Sequence, residues 1–453
     1  MATVSLKGKT IKSYYFLGIG GIGMSALARY FKAKGFAVAG YDKTRTLLTD
    51  TLVAEGIDVI YTDDKELVGA EFLNSENCEL VFTPAVPKDL GLLQEFRSVG
   101  FIPKKRAEIL GQISKRNDTL AVAGTHGKTT TTAILAHLMH CSGVDCTAFI
   151  GGIANNFGSN YVIGTAPVMA VEADEFDRSF LQLDPLHAVI NSMDADHLDI
   201  YGSADQLTAG FKEFSKLVKG KLVAKIGLDI KADYRFSLEE KTDFYISEFK
   251  IAKGKSSFNL HFPNGESEHV DYVYPGLHNI ENAIAAASLA YLYGVKPLAI
   301  AKGLGSFSGV KRRFDKWDFE QQVYIDDYAH HPAEIRALIQ SVRRYYPSKE
   351  VLVIFQPHLF SRTRDFMDDF AESLALADKI MLLDIYPARE KPIEGINSHE
   401  LAKRIDSVDV MVKSPEEILE ILKVDRSDII ITMGAGDIDR MVGKIKTLLK
   451  TSS

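Results

Sequence analysis

The sequence predicts an α/β protein of three domains, and three observations carry that reading. A strand, a glycine-rich turn and a helix open the chain at residues 13–34, the same succession returns at 119–140, and strands and helices alternate once more from residue 322 onwards. With 453 residues and about 150 per domain, three separate hydrophobic cores are expected.

The first domain is read over residues 1–116. Ser13 to Ile19 has the character of a strand, Gly18, Gly20 and Gly23 follow the G-x-G-x-x-G pattern with Gly21 inside it, Met24 to Lys34 has helical spacing, and the next strand, Phe36 to Tyr41, ends at Asp42. This is a Rossmann-like opening: the glycines let backbone approach a diphosphate, and an acidic residue about 20 positions on meets a ribose hydroxyl. An NAD-dependent oxidoreductase and a protein that binds a nucleotide-diphosphate sugar satisfy such a turn equally well. Alternation continues through Leu80–Thr83, Asp89–Ser98 and Lys105–Gln112, and the polar residues 115–118 close the domain.

The second domain is read over residues 117–308. Thr119 to Ala123 forms a strand, and Gly124-Thr125-His126-Gly127-Lys128-Thr129-Thr130 turns into a helix that reaches His140. Backbone amides converge at that helix start, Lys128 is placed to neutralise β- and γ-phosphate oxygens, and the Thr129 hydroxyl is placed for Mg²⁺, so ATP is the expected ligand. The loop is shorter than the common P-loop, because only Thr125 and His126 separate Gly124 from Gly127. Two further strands, Val168–Val171 and His187–Ser192, end in the acid-rich turns Glu172-Ala-Asp174-Glu175 and Asp194-Ala-Asp196-His197. Hard oxygen ligands beside a triphosphate favour Mg²⁺. Residues 221–274 alternate in short segments with turns such as Pro263-Asn264-Gly265, which predicts antiparallel hairpins added to a P-loop ATPase-like mixed sheet. Gly276-Leu-His278-Asn279-Ile-Glu-Asn282 opens an alanine-rich helix, where side-chain amides either cap the helix or read the edge of a base.

The third domain, residues 309–453, follows the glycines of 303–309 and Lys311-Arg312-Arg313, and is again doubly wound and Rossmann-like. Its strand ends carry Asp326-Asp327-Tyr328-Ala-His330-His331, then Gln356-Pro-His358-Leu359-Phe-Ser-Arg362-Thr-Arg364, then Tyr386-Pro-Ala-Arg389. Polar groups at three successive strand ends imply a site. A zinc site at His330 and His331 is set aside, since no third and fourth ligand stand at a metal spacing.

Composition narrows the partners. The 53 basic and 60 acidic residues leave a formal charge of −7 without a long single-sign block, which argues against nucleic acid or an anionic membrane as partner. No apolar run approaches the roughly 18 residues of a membrane span, so no membrane insertion is expected. Cys78, Cys141 and Cys146 suit neither a disulfide framework nor a thiolate metal site, and a reducing cytoplasm is the expected home.

In this order Gly18-Ile-Gly-Gly-Ile-Gly-Met24, Gly124-Thr-His-Gly-Lys-Thr-Thr130, Glu172-Ala-Asp-Glu175, Asp194-Ala-Asp-His-Leu-Asp199, His278-Asn279 with Asn282, Lys311-Arg-Arg-Phe314, Asp326-Asp-Tyr-Ala-His-His-Pro332 and Gln356-Pro-His358 resemble the Mur ligases of bacterial peptidoglycan synthesis. The resemblance covers the whole chain and is nearest to the alanine-adding members. It implies ATP-dependent ligation of L-alanine to the carboxylate of UDP-N-acetylmuramate, through an acyl phosphate. Gly18, Gly20, Gly21, Gly23 and Asp42 then hold the sugar nucleotide. Gly124, Thr125, His126, Gly127, Lys128, Thr129 and Thr130 hold ATP, with Asn279 and Asn282 on the adenine side and Arg313 and Asp327 on phosphate and ribose. Thr129 and Glu172 hold one Mg²⁺ and His197 a second. Tyr328, His330 and Arg362 face L-alanine, Arg362 as the clamp on its carboxylate and His330 as general base. Leu359 departs from the Arg that follows Pro-His in many alanine-adding members, so that one carboxylate contact is either missing or taken over by Arg364. The runner-up is a tripeptide-recycling ligase of the same family.

Overall fold

A computed structural model of the chain describes residues 4–6, 9–194, 201, 203–252, 254–388, 390–406 and 408–451. The chain folds into two compact units. The first comprises Met1–Glu248, Asn259–Val270 and Glu281–Phe307, and the second Phe249–Phe258, Asp271–Ile280 and Ser308–Ser453.

The first unit begins with a parallel five-stranded sheet: β1 (Ser13–Leu17), β2 (Ala37–Tyr41), β3 (Asp58–Ile60), β4 (Cys78–Phe82) and β5 (Lys104–Lys105), in the order β3-β2-β1-β4-β5. Side chains of β1 alternate between two cores. Tyr14 and Phe16 join the cluster that holds Phe31, whereas Tyr15 and Leu17 join the one that holds Phe72 and Phe96. A strand buried on both faces is what a parallel sheet covered by helices requires. Helix α1 (Ile22–Ala33) buries Met24, Leu27, Ala28 and Phe31, a helical stripe, and the Phe31 ring stacks on Tyr14 with centroids 3.6 Å apart. The other helices of this sheet are α2 (Leu47–Ala54), α3 (Gly91–Ser98) and α4 (Arg106–Ser114).

The same unit contains the start of the ten-stranded second sheet. Its strand β6 (Asp118–Ala123) leads to helix α5 (Lys128–Cys141), followed by β7 (Thr147–Ala154), β8 (Ser159–Val162), β9 (Val168–Ala173), β10 (Pro185–Ile190), helix α6 (Ala204–Ser215), β11 (Leu222–Lys225), β12 (Tyr234–Ser237) and β13 (Phe244–Ala252). These strands lie in the order β8-β7-β9-β6-β10-β11-β12-β13. Strands β9 and β10 flank β6 in parallel register, Ala173 and Ile190 both opposite Ala123. Three strand ends therefore emerge together, delivering the acidic turn, the glycine loop and Asn191 to one edge.

Residues 221–274 hold the expected hairpin at Pro263-Asn264-Gly265, where strands Lys255–His261 and Ser267–Tyr272 are neighbours in the sheet and the Phe262 amide donates to the Glu266 carbonyl at 3.0 Å across the turn, but the segments before it are not hairpins. β10, β11, β12 and β13 pair in parallel, each with the next. A further antiparallel pair sits at the opposite edge, between β7 and β8. Short alternating segments disclose a half-buried strand but not its direction, and the eight residues between β11 and β12 suffice to carry the chain back for a parallel pair.

The second unit holds a six-stranded sheet built from β14 (Asp315–Asp318), β15 (Val323–Asp327), β16 (Val351–Phe355), β17 (Lys379–Leu382), β18 (Asp409–Val412) and β19 (Ile429–Met433), in the order β14-β15-β19-β16-β17-β18. Only the β14–β15 pair is antiparallel. Asp327 and Phe355 both stand opposite Met433, and Phe355 stands opposite Leu382. The three polar segments foreseen at strand ends thus leave the sheet from one edge. Among the described residues no helix is long and apolar enough to cross a membrane.

Candidate active site

Strand β1 leads into Gly18, whose φ of +80° is the left-handed conformation that glycine adopts without strain. The amides of Gly18 and Ile19 donate to the Tyr41 carbonyl at 2.8 and 3.0 Å, which folds the loop back over β2. Asp42 is wired into the same loop: its carboxylate accepts from the Gly20 amide at 2.8 Å and from the Thr44 amide at 3.1 Å. A Cβ on Gly23 would lie 3.1 Å from Cδ and Nη1 of Arg106, so that guanidinium rests on the first turn of α1.

The second loop is shaped by the neighbouring strand end. Gly127, φ +80°, is the residue before α5, and a Cβ there would overlap the Asn282 side-chain oxygen. The Ser192 hydroxyl accepts from the His126 amide at 2.8 Å and lies 3.0 Å from the Thr125 hydroxyl. Asn191 donates to Thr131 Oγ1 at 2.9 Å, and Thr131 donates to Asn282 Oδ1 at 3.2 Å. Asn282 is therefore part of the support of the phosphate loop. Thr130 is buried behind it, and His126 lies 3.6 Å from Asp194.

Lys128 stands at the centre of this edge. Its Nζ donates to the Gly124 carbonyl at 2.7 Å and to both oxygens of Glu175, at 2.9 and 2.7 Å, with Asp174 3.9 Å away. Burial opposes the charge, but Glu175 and Asp174 outweigh it, and the lysine pKa ends above its ordinary value. Glu172, at the end of β9, accepts from the Gly151 amide at 2.5 Å and from the Thr129 hydroxyl. Burial raises its pKa despite that amide and Lys128. A desolvated carboxylate touching a hydroxyl is a donor set that fits a hard cation such as Mg²⁺. Among the described residues no three His, Cys, Asp or Glu side chains are grouped to hold a metal alone, so phosphate and water oxygens would complete the shell. His197 lies outside the described residues.

In the second unit, Asp327 accepts from the amides of Phe314 at 2.6 Å and Ala329 at 2.7 Å. Burial pushes its pKa up to about 6 even with Arg313 nearby. Arg312 and Arg313 stack over the Tyr328 ring, 5.4 and 5.0 Å from its centroid. His330 Nδ1 is 2.9 Å from the Tyr328 carbonyl and 3.3 Å from Glu334. A carbonyl only accepts, so Nδ1 carries the proton and Nε2 keeps its lone pair. Burial lowers the His330 pKa, and Arg362 adds to that effect against Glu334. His358 stacks on Tyr386 with centroids 5.7 Å apart, and its pKa is lowered to about 4 by burial, His330 and Arg362. Leu359 has φ +73°, a strained value for a branched side chain, and leads into the short helix Phe360–Asp365 that carries Arg362. Arg364 pairs with its neighbour Asp365 at 2.7 Å. Asn279 is buried and donates to the Pro275 carbonyl at 2.6 Å.

Sequence reasoning missed Asn191, Ser192 and Arg106 and gave Glu175 no role of its own. The first two follow directly on β10, and a polar pair after a strand adjoining the loop is the signal that was available.

Three family models match in succession: the Mur ligase family catalytic domain over residues 13–118, the Mur ligase middle domain over 122–290 and the Mur ligase glutamate ligase domain over 312–436. This chain belongs to the Mur ligase family. This Mur ligase is 49% identical over 443 residues to the UDP-N-acetylmuramate–L-alanine ligase of Christiangramia forsetii, a match covering 97% of this chain and 98% of that one. It is 46% identical over 454 residues to the protein of the same name from Porphyromonas gingivalis, covering 97% and 100%. Among solved structures, the UDP-N-acetylmuramate-alanine ligase of Thermotoga maritima superposes with a TM-score of 0.83 at 26% identity, covering 97% of this chain and all of that one. A murein peptide ligase from Psychrobacter arcticus, at 22% identity and a TM-score of 0.70, shares the fold.

Proposed function

We propose that this Mur ligase joins L-alanine to the carboxylate of UDP-N-acetylmuramate, cleaving ATP to ADP and phosphate, as a step of peptidoglycan precursor synthesis in the cytoplasm. The observation that carries the proposal is the near-full-length identity of 46–49% with proteins of that name. The loop at Gly124–Thr130 and the ion-paired Lys128 supply the chemistry it demands. The three cysteines are free, in keeping with a reducing compartment. Residues 1–116 are assigned to the sugar nucleotide, 117–308 to ATP and 309–453 to the amino acid.

In the first step a carboxylate oxygen of the muramyl group forms a bond to the γ-phosphorus and ADP leaves with the electron pair of the broken P–O bond. Two anions must meet, so the charge of Lys128 and the fixed loop geometry carry the catalysis. Thr129 and Glu172 would hold Mg²⁺, which neutralises phosphate charge when bound. In the second step the alanine amine attacks the acyl carbon and phosphate leaves with the C–O bond pair. The amine must shed a proton, and His330 Nε2, neutral and with its lone pair free of the Tyr328 contact, is the acceptor. Arg362 clamps the alanine carboxylate.

Phosphate release with ATP, Mg²⁺ and UDP-N-acetylmuramate tests the proposal when L-alanine, other amino acids and the L-Ala-γ-D-Glu-diaminopimelate tripeptide are added in turn. Release that depends on L-alanine is expected. Release with the tripeptide in its place would move this chain to the recycling members, and release with none would remove the ligase activity.

A further inference from the structure

The Arg106 side chain is 26% exposed, and among the described residues its guanidinium donates no hydrogen bond. Among the described residues its one ionic neighbour is Asp174, 3.9 Å from Nη2, beyond hydrogen-bond range. The other oxygen of Asp174 lies 3.9 Å from Lys128 Nζ. Two cations therefore flank one carboxylate without bonding to it. On its other side Arg106 rests on Gly23, in the first turn beyond the glycine loop. The guanidinium thus occupies the passage from the loop expected to take a diphosphate to the lysine expected to meet the γ-phosphate.

This placement is rigid. α4, which begins with Arg106, is anchored along its length to the segment that follows Asp174. Lys105 pairs with Asp177 at 2.7 Å, a Cβ on Gly111 would overlap the Gln182 carbonyl, and the Asp184 amide donates to Ser114 Oγ at 3.1 Å. The turn itself is tight, with Asp177 and Arg178 both in left-handed conformations at φ +53° and +54°. Ile109, Leu110 and Ile113 pack into the core beneath. The nitrogens of the guanidinium fork are not among the buried unpartnered atoms, so water serves them until a ligand arrives, and a carboxylate that displaces this water meets a fork already held in place.

We infer that Arg106 binds the reacting carboxylate of the sugar nucleotide, holding it between the glycine loop and Lys128; the inference rests on the ligase reading above. A planar guanidinium matches a carboxylate with two parallel hydrogen bonds, and its charge persists at every working pH. It sets which oxygen points at phosphorus and offsets part of the repulsion from the phosphates. It also makes the carboxylate a condition of tight binding, since a sugar nucleotide without one leaves the fork unpaired.

The test compares UDP-N-acetylmuramate with UDP-N-acetylglucosamine, which has the same diphosphate and lacks the carboxylate, by equilibrium binding to the full chain. For Arg106→Gln, affinity for UDP-N-acetylmuramate falls roughly tenfold to a hundredfold while that for UDP-N-acetylglucosamine stays within about twofold. Arg106→Lys, which keeps the charge and loses the fork, falls between. The retained affinity for the uncharged sugar reports an intact fold. Equal losses for both ligands would mean that the guanidinium serves the diphosphate or the fold, and no loss for either would mean no contact; both outcomes overturn the inference. Wild-type protein that binds UDP-N-acetylmuramate but releases no phosphate with L-alanine would sink the ligase reading alone, leaving the binding comparison intact.

Discussion

The Lys128 ammonium is bound to a Glu175 carboxylate that is itself fully buried, so its position is fixed before any phosphate arrives. Breaking this buried pair from one side would strand a charge, which makes Lys128→Met informative only with a control. We expect kcat to fall by about a thousandfold, the loss typical of removing a group that stabilises developing charge, while affinity for UDP-N-acetylmuramate, read by calorimetry, is retained. Loss of sugar-nucleotide affinity as well would place both ligands on one loop. His330 makes a second prediction. Its lowered pKa keeps the ring neutral to more acid pH than an ordinary histidine, so the rising limb of kcat against pH lies below about 6.5. His330→Gln removes that limb and lowers kcat by about a hundredfold or more. An unchanged profile in the variant would assign the proton to another group.

At the scale of elements, the strand end after β10 shapes the phosphate loop as much as the loop's own sequence does. Gly127→Ala would set a methyl against Asn282 in a left-handed backbone position, and the KM for ATP should rise by at least about tenfold with the KM for the sugar nucleotide unchanged. A rise in both would show that the disturbance spreads to the first sheet. The glycine turns were legible because their requirement is local: backbone near a phosphate needs residues without Cβ, wherever the chain goes next. Ser192 and Asn282 were not legible as loop supports because they reach it across 66 and 151 residues of sequence. Arg106 is hidden for the same reason, and nothing in Lys104-Lys105-Arg106 separates the cation with unused donors from its neighbours. The hairpin at Pro263-Asn264-Gly265 was legible from its turn residues, whereas the strands of 222–252 pair in parallel, because alternation reports burial and leaves the partner's orientation open.

Across the whole molecule, the ordered succession of motifs carried more information than any one of them. The Gly18 loop taken alone admits a dinucleotide, and the Gly124 loop taken alone admits any ATPase. In the first unit both loops follow strands with parallel neighbours and Arg106 and Lys128 flank Asp174, a charge pattern suited to the proposed meeting of a carboxylate with a phosphate. If the muramyl carboxylate is itself phosphorylated, one of its oxygens must leave with the phosphate when the amide forms. The direct measurement uses UDP-N-acetylmuramate labelled with ¹⁸O in both carboxylate oxygens, together with ATP and L-alanine, and mass spectrometry of the phosphate released. Phosphate carrying one ¹⁸O atom per turnover is predicted, whereas unlabelled phosphate formed alongside the amide product would contradict passage through an acyl phosphate.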